Sequence, residues 1–571
     1  MKKDNFKNLY TPEGESLKAT HIPHNVYPRP QMVRNSFLCL NGKWDFGFGK
    51  TEIYDKKILV PFPPQSLLSG IEKRIPQSDT LFYKRSFILP EGFRDTDDRV
   101  ILHIGAADQF AKVCINGKEL GEHEGGYDPF RFDITDHLNN ENELKISVRD
   151  ELDKKVLPYG KQREKRGGMW YTPFSGIWQT VWLESVPKEH ITDIAIHSNT
   201  DRVTISVTAC GNLENCKIIF EGKETLLKDG KAELIPESPI CWSPEDPHLY
   251  SFKILMGKDE VSSYFALRSI KSEIVDGVPR LLLNGKPYFF NGVLDQGYFS
   301  DGICTPADPI CFQNDIKLMK EMGFNTLRKH IKTEPEQFYY ECDRLGMIVF
   351  QDMINNGSYS FIRDTALPTI GMKKLSDKFL HRNKKSRAAF RKTARGIISR
   401  LKNHPSVVYF TVFNEGWGQF DSANMYREIK ALAPDHIIDT ASGWFGGAPS
   451  DVISPHVYFK PVKIKMGDKP IILSEFGGYS FSPKDHVFNS EKVYGYKLFE
   501  STEELENAII KLYDDEIIPA VKKGLCGAIL TQLSDVEDET NGLISYDRKF
   551  IKVSRDKMQS IAERIYKEIK N

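Results

Sequence analysis

The sequence has 571 residues, of which 40% are hydrophobic and 27% charged, an ordinary composition for a globular protein. That length predicts two to four domains with a large apolar core. Lysine plus arginine and aspartate plus glutamate number 78 each, so the formal net charge is zero. A dedicated nucleic-acid binder carries a basic excess, and the balanced charge argues against that class.

The amino terminus and the cysteines bear on where the protein works. Lys2 and Lys3 are followed by no apolar stretch, so the first residues do not read as a secretory signal. No run of about eighteen apolar residues exists, so we expect no membrane-spanning helix and no membrane partner. The nine cysteines include no C-x-x-C pair, and an odd number cannot all pair within one chain. We therefore expect a cytoplasmic protein with free thiols and no structural metal.

The first part of the chain reads as β-structure. Residues 1–186 alternate apolar and polar positions, and Asn41-Gly42 and Asn116-Gly117 are typical of two-residue hairpin turns. This pattern predicts an antiparallel β-sandwich of the jelly-roll, sugar-binding type. A second all-β stretch, 187–272, has the length of an immunoglobulin-like sandwich. Neither stretch contains a catalytic constellation.

From residue 273 to 571, strands and helices alternate after a hairpin at Asn284-Gly285, the pattern of a parallel α/β fold. Eight strands are predicted, the number that closes a (β/α)8 TIM barrel. They lie at 288–297, 325–331, 347–353, 407–416, 436–443, 451–459, 471–478 and 526–535. The fifth, sixth and seventh strands follow one another so closely that one or two helices there must be short or missing.

Capping residues mark the helices between these strands. Asp308 is expected to cap a helix that ends at Gly323, and Thr333 to start another that stops at Gly346. The segment 373–400 is rich in Lys and Arg. We interpret it as the solvated face of the helix before the fourth strand, because such charge runs are usually solvent-exposed, and not as a nucleic-acid site.

Two glutamates stand at strand ends, where barrel enzymes build their active sites. Asn414-Glu415-Gly416 ends the fourth strand, and Ser474-Glu475-Phe476-Gly477 ends the seventh. Retaining hydrolysis of a β-glycoside needs a nucleophilic carboxylate and a protonated carboxyl about 5–5.5 Å apart. An ionised carboxylate also stabilises the proton on a neighbouring carboxyl. The pair therefore predicts a sugar-cleaving enzyme, and the alternative is that both glutamates cap strand ends or pair with an arginine.

Polar and aromatic side chains at the strand ends are candidates for holding the sugar, because converging polar groups can read each hydroxyl. The candidates are Asn414, Asp295, Arg328, His330, Asp352, Trp417, Trp444, His456, Tyr458, Gln532 and Asp535. Asn414 is placed to bond the hydroxyl beside the reacting carbon, and Trp417 and Trp444 to stack on a sugar face. Ion pairing or packing is the alternative for each of them, and for His330 and Asp352 the two readings are evenly balanced.

The segment 168–179, GMWYTPFSGIWQ, resembles the end of the sugar-binding domain of glycoside hydrolase family 2, which holds β-galactosidases, β-glucuronidases and β-mannosidases. The order sandwich, immunoglobulin-like domain, barrel is similar too, so the resemblance covers nearly the whole chain. It implies that Glu415 is the acid/base and Glu475 the nucleophile, supported by Arg328 and Tyr458. It also implies a mechanism that needs no cofactor, and no metal ligands are assigned. Relatives commonly assemble through their β-domains, so a homo-oligomer is one possibility, but the sequence leaves the oligomeric state open.

The sequence departs from the family at the eighth strand. Relatives often carry a tryptophan platform there, whereas this chain reads Thr531-Gln532-Leu533, so Gln532 or Asp535 is expected to take that place by hydrogen bonding. The family resemblance associates an Asn-x-Lys motif after this strand with carboxylate recognition in β-glucuronidases. This chain has no such motif there. The paired metal ligands of large β-galactosidases are not evident either.

We therefore predict an exo-acting, retaining β-glycosidase whose partner is a carbohydrate, an oligosaccharide or a glycoconjugate. A β-galactosidase is favoured by its frequency in the family. A β-uronidase, acting on glucuronides or galacturonides, is the alternative, because Arg328, Lys329, His330 and Lys332 form a basic cluster beside the site. The alternative from another class of protein is a non-catalytic carbohydrate-binding protein. The missing tryptophan platform favours this alternative.

Overall fold

The computed structural model describes residues 6–18, 20–367, 377–443 and 448–570. Within these ranges two β-sandwiches are followed by a barrel of parallel strands. Trp444, which the sequence proposes as a sugar-stacking residue, lies outside the described residues. Over the same ranges no helix combines the length and the apolar character needed to cross a bilayer.

The amino-terminal sandwich packs two antiparallel sheets around one apolar core. Its six-stranded sheet contains, in order, Lys56–Val60, Gly42–Gly49, Thr80–Phe87, Asn142–Arg149, Phe110–Ile115 and Lys118–Glu124. Its four-stranded sheet contains Leu38–Cys39, Val181–Val186, Arg99–Ile104 and Phe130–Asp133, and Ala107–Asp108 pairs separately with Gly176–Ile177. In the strand Asn142–Arg149, Leu144, Ile146 and Val148 are buried and the residues between them are not, the alternation that a one-sided sheet requires.

The two asparagine–glycine turns differ. Asn116 and Gly117 both have positive φ, 50° and 79°, and join two paired strands as the predicted hairpin. The prediction of a hairpin at Asn41-Gly42 was wrong, because the strands on its two sides belong to different sheets. The Asn41 side chain stabilises this crossing: its Oδ1 accepts from Val181 N (3.0 Å) and its Nδ2 donates to Pro23 O (2.9 Å).

The second sandwich has a three-stranded and a four-stranded antiparallel sheet. The first contains His190–Ser198, Val203–Cys210 and Lys231–Leu234, and the second contains Lys223–Leu226, Lys217–Phe220, Tyr250–Met256 and Asp259–Phe265. These strands enclose a core of their own, which includes Ile194, Ile205 and Phe252. Seven strands in two sheets fit the predicted immunoglobulin-like sandwich, while the domain limits at 186 and 272 stay predictions.

Eight parallel strands form the barrel; seven fall within their predicted segments, and the eighth begins one residue before its segment. Barrel strands one to eight are Phe290–Asp295, Thr326–Lys329, Ile348–Asp352, Val407–Asn414, Ile437–Ser442, His456–Val457, Ile471–Gly477 and Leu525–Thr531. Strand one pairs with strand eight. Bonds from Gly443 N to Ser454 O (2.8 Å) and from Asp451 N to Ile438 O (2.9 Å) join strand five to the segment before strand six and close the barrel.

Helices cover the outside of the barrel. They are Ile310–Glu321, Glu336–Leu345, Lys384–Leu401, Ser422–Leu432, Thr502–Leu512, Ile518–Val521 and Arg555–Lys570, and a short helix Pro12–Ser16 precedes the first sandwich. Asp308 Oδ1 accepts from Ile310 N (2.9 Å) at the start of the first barrel helix, but Pro309 and not Asp308 holds the cap position. The next helix ends at Gly346 (φ 73°) as predicted, but Thr333 does not cap it, because Pro335 holds the cap position. Between strands five and seven the described residues form no helix, as their close spacing predicts.

A small antiparallel sheet leads into the barrel from the second sandwich. It contains Ile270–Val275, Val278–Leu283 and Lys286–Pro287. Leu281 and Leu283 pack with Phe290 and Ile529 in one apolar cluster. Cys526 Sγ donates to Pro279 O (3.6 Å), so this sheet lies beside the amino-terminal start of strand eight. It therefore covers the end of the barrel opposite to the one where the strands terminate.

Candidate active site

Glu415 and Glu475 lie close together at the carboxyl ends of strands four and seven. Glu415 directly follows its strand in a left-handed conformation (φ 50°), which a bond from its N–H to Ser442 O (2.9 Å) stabilises. Glu475 lies near the end of strand seven and is 5% exposed. An oxygen of each carboxylate and Nδ1 of His456 lie within 4.8 Å of one another. This spacing is near the 5–5.5 Å of retaining glycosidases and short of the roughly 6.5–9.5 Å of inverting ones.

The guanidinium of Arg328, from strand two, is completely buried between these strand ends. It donates from Nε to Asp352 Oδ1 (3.0 Å) and from Nη1 to Glu475 Oε1 (3.0 Å). Its Nη2 donates to Asn414 Oδ1 (2.9 Å) and Ser442 Oγ (3.1 Å). Because a planar guanidinium has five donors in fixed directions, it can bind side chains from several strands at once. Arg328 thus aligns the ends of strands three, four, five and seven.

Glu475 is held in its ionised form. Burial raises the pKa of a carboxyl, yet the charges of His456 and Arg328 oppose that effect. The charge of His330 and a hydrogen bond from Tyr458 add to them, and the pKa of Glu475 falls to about 2. Tyr458 OH lies 2.5 Å from Glu475 Oε2, and burial together with this carboxylate raises the pKa of Tyr458, so its hydroxyl stays a donor. A nucleophilic carboxylate needs to be charged in this way.

His456 lies between the two glutamates. Its Nδ1 is 2.8 Å from Glu415 Oε1 and 3.5 Å from Glu475 Oε2, and its Nε2 is 3.4 Å from Arg328 Nη1. The imidazole side chain is wholly buried, and that of Glu415 is 15% exposed. The sequence proposes His456 as a sugar-binding residue, and the structure places its ring against both carboxylates.

His330 and Asp352 form a pair behind Arg328. His330 Nδ1 lies 2.7 Å from Asp352 Oδ2, and both side chains are buried. Burial raises the pKa of Asp352, but Arg328 and His330 outweigh it and lower this pKa to about 2. Burial also lowers the pKa of His330, against the opposing effect of Asp352. Asp352 therefore supplies the negative charge that balances the buried guanidinium, and its place among the sugar-binding residues stays a prediction.

Asn414 is oriented by its carbonyl oxygen, which accepts from Arg328 and from Ser442 Oγ (2.9 Å). Within the described part of the chain nothing accepts a hydrogen bond from its Nδ2, and the predicted contact of Asn414 with a sugar hydroxyl stays a prediction. Ser442 and Thr531, whose Oγ1 lies 3.1 Å from Tyr458 OH, were missed by sequence reasoning. Ser442 and Thr531 end the observed strands five and eight and lie inside the predicted ones, and that position near the strand ends was a usable signal.

Three predicted sugar-binding residues have protein partners of their own. Asp295 pairs with Lys329 Nζ (2.6 Å), and Asp535 with Lys552 Nζ (2.6 Å). Asp535 is buried, and burial raises its pKa to about 6 while Lys552 opposes that shift. Gln532 Oε1 accepts from Gln296 Nε2 (2.7 Å), and its Nε2 donates to Glu539 Oε2 (3.4 Å). These contacts replace the expected role of Asp535 and Gln532 as a substitute platform with ion pairing and loop support.

Trp417 packs against the amino-terminal sandwich and is 2% exposed. Its ring stacks on Trp170 at 5.1 Å between centroids and 21° between planes, and Tyr359 contacts it edge-on at 5.4 Å. Trp170 belongs to the segment that the sequence identified as family-like. The structure therefore gives Trp417 a packing role between two domains, where the sequence had proposed sugar stacking.

Aromatic rings from the loop after strand seven lie beside the site. Tyr496 stacks on Tyr458 with 4.0 Å between centroids, and exposed Phe459 contacts Tyr496 at 4.9 Å. Tyr479–Ser480 pairs with Lys497–Leu498 and shapes this loop. Tyr496 from this loop therefore covers the tyrosine that binds Glu475, and the contribution of the loop to the wall of a cleft stays a prediction.

Glu415, His456 and Glu475 are the single group of described residues whose donor atoms are close enough to share a cation. Arg328 already lies 3.0 Å from one Glu475 oxygen, and Tyr458 binds the other. A divalent cation bound here would be repelled by the positive charge of the Arg328 guanidinium. The donor set is therefore better suited to proton transfer and nucleophilic attack than to binding a metal.

Family models match most of the barrel and much of the first sandwich. The model described as "Glycosyl hydrolases family 2, TIM barrel domain" matches residues 273–552. The model described as "Glycosyl hydrolase 2 galactose-binding domain-like" matches residues 69–175. With a barrel that carries paired glutamates at its strand ends, the chain belongs to glycoside hydrolase family 2 and is a glycosidase.

Individual relatives bear two different activities in their names. A β-glucuronidase of Streptococcus agalactiae is 24% identical over 533 residues, which span 79% of this chain and 84% of that protein. A β-galactosidase of Thermoanaerobacter pseudethanolicus is 25% identical over 378 residues, 62% of this chain but only 46% of that protein. The structure of a β-glucuronidase from an uncultured Clostridium species superposes with a TM-score of 0.72 at 20% identity, covering 95% of this chain and all of that one.

Proposed function

We propose that the protein is a retaining exo-β-glycosidase that removes one terminal sugar by double displacement. The observation that carries this proposal is the pair Glu415 and Glu475, whose oxygens lie within 4.8 Å at one barrel mouth. Only a nucleophile that bonds directly to the anomeric carbon needs its partner so close. Glu475 is assigned as the nucleophile and Glu415 as the acid/base.

The reaction has two steps. In the first, a Glu475 oxygen attacks the anomeric carbon while Glu415 gives its proton to the departing glycosidic oxygen. In the second, Glu415 takes a proton from water, whose oxygen displaces Glu475 and restores the starting configuration. Arg328 and Tyr458 keep Glu475 charged before the attack. His456, 2.8 Å from Glu415, keeps the acid/base turned toward its partner.

The walls of the site support an exo mode of action. The sandwich segment packs Trp170 over Trp417 on one side, and the Tyr458–Tyr496 stack stands on another. A mouth bordered by rings of two domains suits a terminal sugar better than the middle of a long polymer. Both sugars proposed from the sequence have support in the relatives, a β-galactoside from one and a β-uronide from the other.

A panel of aryl glycosides tests the proposed function. Wild-type protein is incubated with nitrophenyl β-galactoside, β-glucuronide, β-galacturonide and β-glucoside, and in parallel with the matching 2-deoxy-2-fluoro glycosides. We expect turnover of at least one aryl glycoside, and a fluorosugar adduct that mass spectrometry maps to Glu475. Glu475→Gln is the control and forms no adduct. Binding of sugars without turnover or adduct would favour the carbohydrate-binding alternative and end the proposal.

A further inference from the structure

The basic cluster that the sequence places beside the site is neutralised inside the protein. Its four members are Arg328, Lys329, His330 and Lys332. Arg328 and His330 share Asp352, and Lys329 pairs with Asp295 and with Glu334 at 3.0 Å. Lys332 Nζ lies 2.7 Å from Glu334 Oε1 and donates to Cys304 O (2.8 Å). These charges are already paired, so none of them is left over to bind an anionic substrate.

Lys161 brings a different positive charge to the same place from the amino-terminal sandwich. The residue is 5% exposed, and its backbone oxygen accepts from Tyr171 N (2.9 Å). Its Nζ makes one hydrogen bond, a long one of 3.4 Å to Tyr171 OH. Among the described residues no carboxylate oxygen lies within 4.0 Å of it. A buried lysine without a close acidic partner is unusual, because lysines are seldom fully buried unless they are paired.

The surroundings of Lys161 place its ammonium group over the barrel mouth. Its Nζ binds Tyr171 OH, which donates to Glu539 in the loop after strand eight. The preceding residue, Gly160, lies so close to Ile331, just after strand two, that a Cβ there would be 3.1 Å from Ile331 O, and the charge of Lys161 also acts on His330. These two strands flank strand one in the barrel sheet. Lys161 therefore lies above the end of strand one. Its neighbours Glu539 and His330 both interact electrostatically with Glu475, the proposed nucleophile.

The acidic residues of the neighbouring loop do not cancel this charge. Arg166 pairs with Glu537 and Asp538, and the side chain of Glu539 accepts a hydrogen bond from Tyr171 OH. Burial raises the pKa of Glu539, against the opposing influence of Lys161. The Glu539 carboxyl takes its hydrogen bonds from Tyr171 OH and Gln532 Nε2, and not from Lys161.

We propose that Lys161 binds the carboxylate of a β-linked uronic acid, so that the terminal sugar removed by this enzyme is a uronide. This inference rests on the proposed glycosidase function and names its substrate class. The ammonium group would donate charge-assisted hydrogen bonds to the carboxylate at carbon six, which a neutral sugar lacks. In a site with a buried charge, the substrate that leaves this charge unpaired is discriminated against strongly.

The test measures a ratio of specificities in the full-length protein. kcat/KM is determined for nitrophenyl β-glucuronide and β-galacturonide and for their neutral counterparts, the β-glucoside and β-galactoside. We expect wild type to prefer one uronide over its counterpart, and Lys161→Met to lower that uronide-to-neutral ratio by about 10²–10³-fold. Lys165→Met, an exposed lysine of the same segment, is the matched control and should leave the ratio unchanged.

A second measurement does not depend on turnover or on one variant. Free glucuronate and galacturonate, compared with glucose and galactose, should raise the melting temperature of wild type, and this shift should be lost in Lys161→Met and in Lys161→Gln. If Lys161→Met fails to fold, the same comparisons are made on Lys161→Gln and Lys161→Arg.

The outcomes separate this inference from the proposed function. Faster wild-type turnover of a neutral glycoside than of its uronide would overturn the inference and leave the glycosidase intact. Equal losses on both substrates in the Lys161 variants would do the same, because they would show a purely structural role. Absence of any turnover and of any fluorosugar adduct would instead remove the glycosidase assignment itself.

Discussion

Arg328 and Glu475 form a buried ion pair at the barrel mouth, with Nη1 and Oε1 3.0 Å apart and the guanidinium fully enclosed. The same guanidinium contacts Asp352 and Asn414, so one side chain orients the proposed nucleophile and the amide beside the proposed acid/base. The carboxylates of Asp352 and Glu475 raise the pKa of Arg328 despite its burial, so the guanidinium stays charged. The pair therefore couples the stability of the barrel mouth to the protonation state of Glu475.

Arg328→Met is expected to destabilise the fold as well as to abolish turnover. Its removal leaves Asp352 and Glu475 buried without their counter-charge, a loss worth about 3–5 kcal/mol in the free energy of unfolding. Arg328→Lys should fare little better, because an ammonium group cannot reach contacts in so many directions. Urea unfolding curves give the difference, with exposed Arg395→Met as the control. A stability equal to that of wild type would contradict the proposed role of this ion pair.

Tyr458→Phe removes the hydroxyl bound to Glu475 Oε2 but keeps the ring stacked on Tyr496. That hydrogen bond is one cause of the lowered pKa of Glu475, so without it this pKa rises from about 2. Turnover needs ionised Glu475, and the acidic limb of the pH profile of kcat/KM should therefore move to higher pH. Loss of one such bond also predicts a fall in kcat of about tenfold to a hundredfold.

The pH profile of Tyr458→Phe is compared with that of wild type and with that of Tyr479→Phe. Tyr479 lies in the loop after strand seven and makes no described hydrogen bond to Glu475. An acidic limb that stays in place while kcat falls would indicate that Tyr458 acts on the sugar and not on the nucleophile.

Glu415→Ala should slow the reaction by an amount that depends on the leaving group of the substrate. Leaving groups that need protonation, such as phenol, should lose about 10²–10⁴-fold in kcat/KM, the usual contribution of a general acid. Dinitrophenyl glycosides need no proton to leave and should lose far less. Added azide should restore turnover of the dinitrophenyl substrate, giving a glycosyl azide of retained configuration, because azide needs no general base. Equal losses for both leaving groups would rule out the acid role, and exposed Glu563→Ala serves as the control.

Local patterns explain which features the sequence could predict. The eight barrel strands were found because each is a short apolar run bounded by turn residues, and Glu415 and Glu475 because carboxylates at such strand ends are rare without a use. Asn116-Gly117 formed its hairpin for the same reason, since both residues accept positive φ. Asn41-Gly42 did not, because its side chain is recruited by a distant strand.

The remaining errors come from contacts between parts of the chain that are far apart in sequence. Nothing local to Trp417 indicates that Trp170 will cover it, and nothing local to Asp535 indicates Lys552 as a partner. Lys161 escaped notice for the same reason, because it belongs to a sandwich that carries no catalytic pattern of its own. Domain docking, which brings such residues to the barrel, depends on surface complementarity that a single sequence does not display.

Docking of the first sandwich on the barrel depends on Trp170, which is 5% exposed and lies between the Trp417 ring and the Arg163 guanidinium, 4.3 Å from its centroid. Trp170→Ala should lower the free energy of unfolding by about 3–5 kcal/mol, the usual cost of removing a buried tryptophan. Because Lys161 lies on the same segment, kcat/KM for a uronide should fall more than for a neutral glycoside. Trp170→Phe, which keeps an aromatic ring, should recover part of both losses, and Phe459→Ala, exposed at the mouth, should leave stability unchanged. Urea unfolding and paired kinetics check this prediction, and wild-type stability in Trp170→Ala would mean that the sandwich docks through other contacts.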